Sequence, residues 1–274
     1  MLLHHVFVDE VEPFRRMLES LRLTHTFIDY SEAVTRILED RVDDNYVTIS
    51  FDDGLQCCRQ AAKVLEEFGA RACFFVCPPL VGETNPDIIT RFCRERLHYP
   101  PVEFLDWNDV ERLVDRGHEI GGHTMQHVNL NRVDSNTAQD EIWQTHATLR
   151  ARLGEATHFA WPYGRFVDIY RAAIQAVFDA GFRSCASGVR GCHGPAQLPL
   201  NAATFSPEQL CLRRESIVAG WPQSHVNFFL RKSALRPLTI DQTWPVALRP
   251  VSPPFPKIPC ALPSTRFPSN PAAA

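Results

Sequence analysis

Two adjacent carboxylates, Asp52 and Asp53, and two histidines three residues apart, His123 and His127, are the residues whose types and spacing could do chemistry. Two imidazoles and one carboxylate suit a divalent ion of the zinc type. Three protein ligands leave a coordination position open, which is the composition of catalytic rather than closed structural sites. A zinc ion so held lowers the pKa of a bound water from roughly 15.7 to about 7. A second carboxylate nearby can then take that water's proton as it attacks a carbonyl. Asp53 fits the ligand and Asp52 the base. Two histidines and one carboxylate also describe the facial triad of non-haem iron oxygenases, although that chemistry needs no base beside its ligand. Asp-Asp-Gly taken alone is more readily a plain turn, and the histidine pair alone is a weak signal. The combination carries the chemistry.

These groups need elements to position them. Val47, Ile49 and Phe51 alternate with Thr48 and Ser50 as in a strand,. Residues 55–68 then show helical periodicity up to Gly69, a C-terminal stop,. The acidic pair therefore sits where a strand's carboxyl end turns into a helix, the edge where α/β folds collect ligand and catalytic groups. Neighbouring side chains on a strand diverge, so the two carboxylates converge only past its end, where Gly54 frees the turn. His123 and His127 follow a short strand that begins at His118 and breaks at Gly121-Gly122. Further helices are predicted over 9–23, 31–41 (capped by Ser31), 86–97, 106–117 (capped by Asp106), 134–153, 166–180 and 221–235. Further strands are predicted over 26–28, 71–77, 158–161, 182–186 and 210–214. Such alternation predicts a parallel sheet, open or closed.

From Pro237 to Pro271 proline is frequent and periodic apolar residues are few. That pattern divides the chain into a catalytic domain over 1–236 and a disordered tail over 237–274. At 274 residues, with 45% hydrophobic and 22% charged residues, the composition is that of a globular protein,. A formal net charge of −4 gives no reason to expect nucleic acid or an anionic membrane as partner,. No run approaches the roughly 20 apolar residues of a membrane span. The first residues lack the basic and long apolar regions of a secretory signal, so a cytoplasmic location is expected. The nine cysteines have no ligand spacing and read as reduced core residues,.

Ser50-Phe51-Asp52-Asp53-Gly54, His123-Thr124-Met125-Gln126-His127 and Phe159-Ala160-Trp161-Pro162-Tyr163-Gly164 stand in a definite order. In that order they resemble the motifs of the polysaccharide deacetylases (NodB-homology domains, carbohydrate esterase family 4). The likeness covers roughly residues 47–217. It implies a distorted (β/α) barrel, usually of seven strands, with a metal at its carboxyl mouth. By position it makes Asp52 the catalytic base and Asp53, His123 and His127 the metal ligands, for Zn²⁺ foremost. Tyr163 falls in the segment whose backbone N–H holds the tetrahedral oxyanion in that family. Trp161 and Tyr163 would offer apolar faces to a sugar ring, or pack in the core.

Two positions depart from the family pattern. Where an arginine often pairs with the catalytic aspartate stands Ala160, and residues 210–215 contain no histidine to serve as general acid. His193 and His225 are the remaining histidine candidates for that acid, or Asp52 itself returns the proton. For the missing arginine, strand alternation over 210–214 puts Leu210, Leu212 and Arg214 on one face. If the two leucines fill the barrel, Arg214 lies at its mouth, where its guanidinium could grip Asp52 with both prongs. The resemblance thus implies a metal-dependent hydrolase that removes an N-acetyl group from an amino sugar or glycan intermediate. A non-sugar amide as substrate, or a carbohydrate-binding relic without turnover, stays open at this point.

Overall fold

The computed structural model describes residues 1–195 and 205–249. Its strands are β1 (Leu2–Leu3), β2 (Thr26–Phe27), β3 (Tyr46–Val47), β4 (Ile49–Phe51), β5 (Ala72–Val76), β6 (Glu119–Gly122), β7 (His158–Ala160), β8 (Ser184–Ala186) and β9 (Cys211–Leu212). The helices between them are α1 (Val11–Leu21), α2 (Tyr30–Leu38), α3 (Cys58–Glu67), α4 (Pro86–Phe92), α5 (Trp107–Asp115), α6 (Ser135–Leu153), α7 (Arg171–Ala180) and α8 (Gln223–Ala234). Seven strands form one parallel sheet in the order β1-β4-β5-β6-β7-β8-β9. Past β9 the chain returns to β1: the Leu2 N–H donates to the Glu215 carbonyl at 2.8 Å, and the Ile217 N–H to Leu2 at 2.9 Å. The result is a distorted (β/α) barrel of seven parallel strands.

Strand alternation sorts the core into two compartments. Cys73, Phe75, Ala160, Ala186, Leu210 and Leu212 face inward and pack against Tyr30, Val34, Ile37 and Leu38 of α2. Phe51, Phe74, Val76, Phe159, Cys185 and Cys211 face outward into the larger layer beneath the surrounding helices. Gly121 of β6 shows how tight the inner compartment is. A Cβ there would lie 2.4 Å from the Phe75 ring and 3.0 Å from the His158 carbonyl.

Several element boundaries differ from the sequence reading. The predicted strand over 47–51 is broken at Thr48, because Tyr46 and Val47 pair with β2 in a separate two-stranded sheet while β4 enters the barrel. Ser31 does not cap α2, which begins one residue earlier. Its hydroxyl instead meets Glu119 at 2.5 Å and His158 at 2.7 Å. The predicted helix over 166–180 starts as a separate 3₁₀ turn (Phe166–Asp168), where Asp168 folds back onto Arg165 and Asn129.

The expected disordered tail needs correction over 237–249. Leu238 donates to the Cys192 carbonyl at 2.8 Å, and the Thr243 hydroxyl accepts the Cys211 N–H at 3.0 Å. Trp244 is 2% exposed and stacks on Trp161 with ring centroids 5.8 Å apart. Proline density there marks irregular backbone, while Ile240 and Trp244 supply enough apolar surface to dock it,. Residues 250–274 of the expected tail lie outside the described residues. The eight described cysteines are free thiols, six of them buried. No helix among the described residues is long and apolar enough to cross a membrane.

Candidate active site

β4 ends at Phe51, and the chain then turns through left-handed backbone at Asp53 (φ 73°) and Gly54 (φ 69°). Asp53 is not a glycine, so this conformation is strained. The turn brings to one cavity two carboxylates that a continuing strand would point to opposite faces,. Asp52 goes toward β9 and Asp53 toward the histidines.

The histidine loop is irregular rather than helical. After β6 the His123 N–H donates to the Val76 carbonyl at 3.0 Å, and Thr124 (φ 62°) and His127 (φ 49°) are both left-handed. A buried carboxylate from α6 holds this shape: Glu141 Oε2 accepts the N–H of Met125 at 2.8 Å and of Gln126 at 2.9 Å. The His123 Nδ1 lies 2.7 Å from the Ala160 carbonyl, which can only accept. Nδ1 therefore carries the proton, and Nε2 presents its lone pair.

Both Nε2 atoms converge on one oxygen. His123 Nε2 lies 3.4 Å and His127 Nε2 3.3 Å from Asp53 Oδ1, with all three side chains buried. Asp53 Oδ1 has no hydrogen-bond partner among the described residues. Three donor atoms within 4.8 Å of one another form a candidate metal site. Without a cation, burial works against the Asp53 charge, yet the two imidazoles hold its carboxyl well below the usual range. Burial likewise opposes protonation of both histidines. It wins at His127, whose pKa is lowered, and loses at His123, which the two carboxylates raise.

Asp52 is 4% exposed and is gripped by Arg214, itself 3% exposed, with Nη1–Oδ1 at 2.7 Å and Nη2–Oδ2 at 2.9 Å. Arg214 also donates from Nε to the Ser187 carbonyl at 2.8 Å and from Nη1 to the Ser50 hydroxyl at 3.1 Å. Burial alone would raise the Asp52 pKa, but Arg214 and then His123 bring it below the ordinary carboxylate value,.

The third motif forms the rim. Tyr163 (φ 63°) and Gly164 (φ 66°) make a left-handed turn pressed against the loop after β8. The Gly188 N–H donates to the Gly164 carbonyl at 2.9 Å, and a Cβ at Gly164 would lie 2.5 Å from that nitrogen. Tyr163 is 37% exposed, with its ring 5.0 Å from that of His127. Trp161 is fully buried against Trp244 and offers no face to a ligand.

A cavity of about 210 Å³ opens over Asp52, Asp53, His123 and His127, joined by His4, Arg96, Tyr99 and Tyr163. His4 and Glu141 escaped the sequence reading. His4 directly follows β1, and only the pairing of β1 with β4 reveals that it stands beside Asp52. Glu141 looks like any acidic residue on an amphipathic helix. Neither His193 nor His225 lines the cavity. His193 Nε2 accepts the Arg213 N–H at 2.9 Å, and burial pushes its pKa down to about 4. His225 sits on α8 against Trp221. A larger cavity of about 450 Å³ lies between α2 and residues 191–195; Arg214 borders it, but none of the four acidic and imidazole groups does.

Residues 39–184 match the family profile described as polysaccharide deacetylase. The chain belongs to that family. Among the family's characterised proteins, a peptidoglycan-N-acetylglucosamine deacetylase of Bacillus cereus is 29% identical over 125 residues, covering 44% of this chain and 38% of the relative. A chitooligosaccharide deacetylase of Bradyrhizobium is 28% identical over 136 residues, covering 48% and 52% respectively. The matched region thus spans about half the length, or less, of these curated relatives. Solved structures with the same fold include IcaB from Ammonifex degensii, with a TM-score of 0.59, 21% identity and coverage of 82% of this chain and 95% of that one. Another is the Streptococcus pyogenes deacetylase PplD in complex with acetate, with a TM-score of 0.60, 14% identity and coverage of 83% and 94%.

Proposed function

We propose that this polysaccharide deacetylase family member is a metal-dependent N-deacetylase that hydrolyses the acetamide of an N-acetylated amino sugar or glycan, with a catalytic domain that extends to residue 249. The observation that carries this reading is the meeting of two sets at one cavity. Asp53, His123 and His127 offer three converging donor atoms, and beside them Asp52 is an ionised carboxylate clamped by Arg214. A divalent cation held by that trio, Zn²⁺ by its donor set, supplies Lewis acidity toward water and the amide carbonyl.

The remaining work falls to the chain's own groups. Asp52 accepts the proton of the attacking water, and Arg214 fixes its direction. As the carbonyl carbon becomes tetrahedral, the backbone N–H of Tyr163 at the rim turn stabilises the developing oxyanion. Breaking the C–N bond requires a proton on the nitrogen. Of the two cavity histidines outside the ligand set, His98 is exposed and His4 stands beside Asp52, so His4 supplies it, giving free amine and acetate,. Tyr99 and Tyr163 flank the cavity and present apolar ring faces to a sugar,.

The deciding experiment is acetate release from a panel of N-acetylated sugars, measured with and without chelator and after reloading with zinc. Chelator-sensitive release on at least one sugar is expected. Release that chelation leaves unchanged would refute the metal-dependent reading, and release only from non-sugar amides would refute the substrate class.

A further inference from the structure

Charges that line the cavity are neutralised within the protein, with one exception. Asp52 has Arg214 and Asp53 has the two imidazoles. Arg96 reaches the same cavity, yet makes no ion pair or hydrogen bond among the described residues. The acidic group that feels its field, Glu141, stands beyond ion-pair distance and is already occupied by the Met125 and Gln126 N–H groups.

Arg96 is brought to the mouth by a built feature. Asn85 caps α4 by accepting the Asp87 N–H at 3.0 Å, and the helix then widens into a π-type turn (Cys93–Leu97) that ends at a left-handed His98 (φ 58°). Such widened turns re-aim side chains and recur at functional sites. The turn is anchored from below. Cys93 is fully buried, and the Phe92 ring packs 5.7 Å from Phe104 and 6.3 Å from His127. The excursion over 81–101 is therefore registered against a residue of the candidate metal set. It delivers a half-buried, unpartnered guanidinium to the space above it.

A guanidinium recognises carboxylates and phosphates through its planar donor fork, and it does so more strongly where water is partly excluded. We propose that Arg96 binds an anionic substituent, a carboxylate or a phosphate, carried by the N-acetylated sugar, so that the site selects charged over neutral amino sugars. The proposal rests on the deacetylase reading for its sugar, but its test does not depend on turnover.

Binding is measured by calorimetry on the metal-loaded protein with three probes: N-acetylglucosamine, N-acetylglucosamine 1-phosphate and N-acetylmuramic acid. Wild type should bind at least one anionic probe about tenfold more tightly than the neutral sugar, the size of one charge-assisted contact. The stronger of the two names phosphate or carboxylate as the group read. Arg96→Gln should abolish the preference and leave the neutral sugar unchanged. Arg96→Lys should keep part of it, and Arg94→Gln, at an exposed residue two positions away, should keep all of it. Equal affinity for neutral and charged probes in wild type would overturn the proposal, as would a preference that survives Arg96→Gln. Acetate assays on the same probes separate the two readings. A charge preference without acetate release upholds Arg96 and sinks the reaction; release without charge preference does the reverse.

Discussion

Asp52 and Arg214 stand 162 positions apart in the chain and meet as a buried two-pronged pair at 2.7 and 2.9 Å. Two short strands make this encounter possible. Asp52 sits just past β4 and Arg214 just past β9, and the return of the chain from β9 onto β1 closes the sheet between them. At Ala160 a small side chain packs inside the barrel, and its carbonyl orients His123 instead. The cation beside the base therefore comes from the last strand of the barrel. Two further donors are used on Ser50 and Ser187, so the guanidinium has one fixed orientation.

Removing Arg214 should expose what it does for Asp52. Breaking one side of a buried pair costs about 3–5 kcal/mol, so Arg214→Ala should unfold at distinctly lower urea. The pH dependence follows from the direction of the shift. In the native protein Asp52 titrates below its ordinary value. Its ionised form thus contributes stability above the unfolded pKa, and that contribution is lost as pH falls through the native pKa. Without Arg214, burial dominates and raises the carboxyl. The acidic limb of the kcat/KM profile should then move to higher pH. Arg214→Lys keeps charge but loses the fork and should fall between. Arg213→Ala, which loses a contact to the Thr243 carbonyl, should leave the limb in place. An unshifted limb in Arg214→Ala would remove Asp52 as the titrating base.

Metal content and catalysis should separate by residue. Alanine at Asp53, His123 or His127 should abolish bound metal and activity together, because a three-ligand site loses a third of its donors. Asp52→Asn should retain metal by elemental analysis while kcat falls by about 10²–10⁴, the range for a general base. Full occupancy in His127→Ala would contradict the ligand assignment.

The site was more legible in the sequence than its support. Asp52, Asp53, His123 and His127 announce themselves through residue type and spacing, and the alternation of 210–214 was enough to bring Arg214 to Asp52's side of the barrel. Pairings across the sheet left no such trace. Nothing local says that Leu2 and Leu3 form a strand, hence that His4 stands beside Asp52, because two residues are too few to show a period,. Strand 47–51 reads as one unit by alternation, and only the competing partner β2 divides it. The residues after 236 mislead for a different reason. Composition averages over many prolines, whereas docking depends on two apolar side chains, Ile240 and Trp244.

The rim turn offers a test that distinguishes backbone from side chain. Gly164 has φ 66° and no room for a Cβ against the Gly188 nitrogen. Gly164→Ala should therefore push the turn outward, at a stability cost of about 1–3 kcal/mol. If the Tyr163 N–H holds the oxyanion, kcat should fall much further than KM rises, since the lost contact forms only in the transition state. Tyr163→Phe keeps that N–H and the ring and should change kcat little. A large kcat loss in Tyr163→Phe would move the role to the hydroxyl.

The docked segment 237–249 gives the last expectation, and it concerns the same motif from below. Trp161 opens the rim turn and packs in one ring cluster with Phe166 and Trp244, while its indole N–H donates to the Arg165 carbonyl at 3.0 Å. Trp244 is itself fixed by an indole bond to the Glu208 carbonyl at 3.1 Å, and its neighbour Thr243 accepts the Cys211 N–H beside β9. Losing a buried tryptophan to alanine costs about 3–5 kcal/mol, so Trp244→Ala should lower stability by that order. It should also lower kcat, because Trp161 is left without its stacking partner directly beneath Pro162 and Tyr163. Ending the chain at Arg236 should be worse, since it also leaves the Cys211 N–H buried without an acceptor. Ending it at Arg249 keeps every one of these contacts. Thermal unfolding of the three proteins gives the ranking: the 249 form should melt highest and the 236 form lowest. Equal melting of the 236 and 249 forms would show that residues 237–249 do not support the rim.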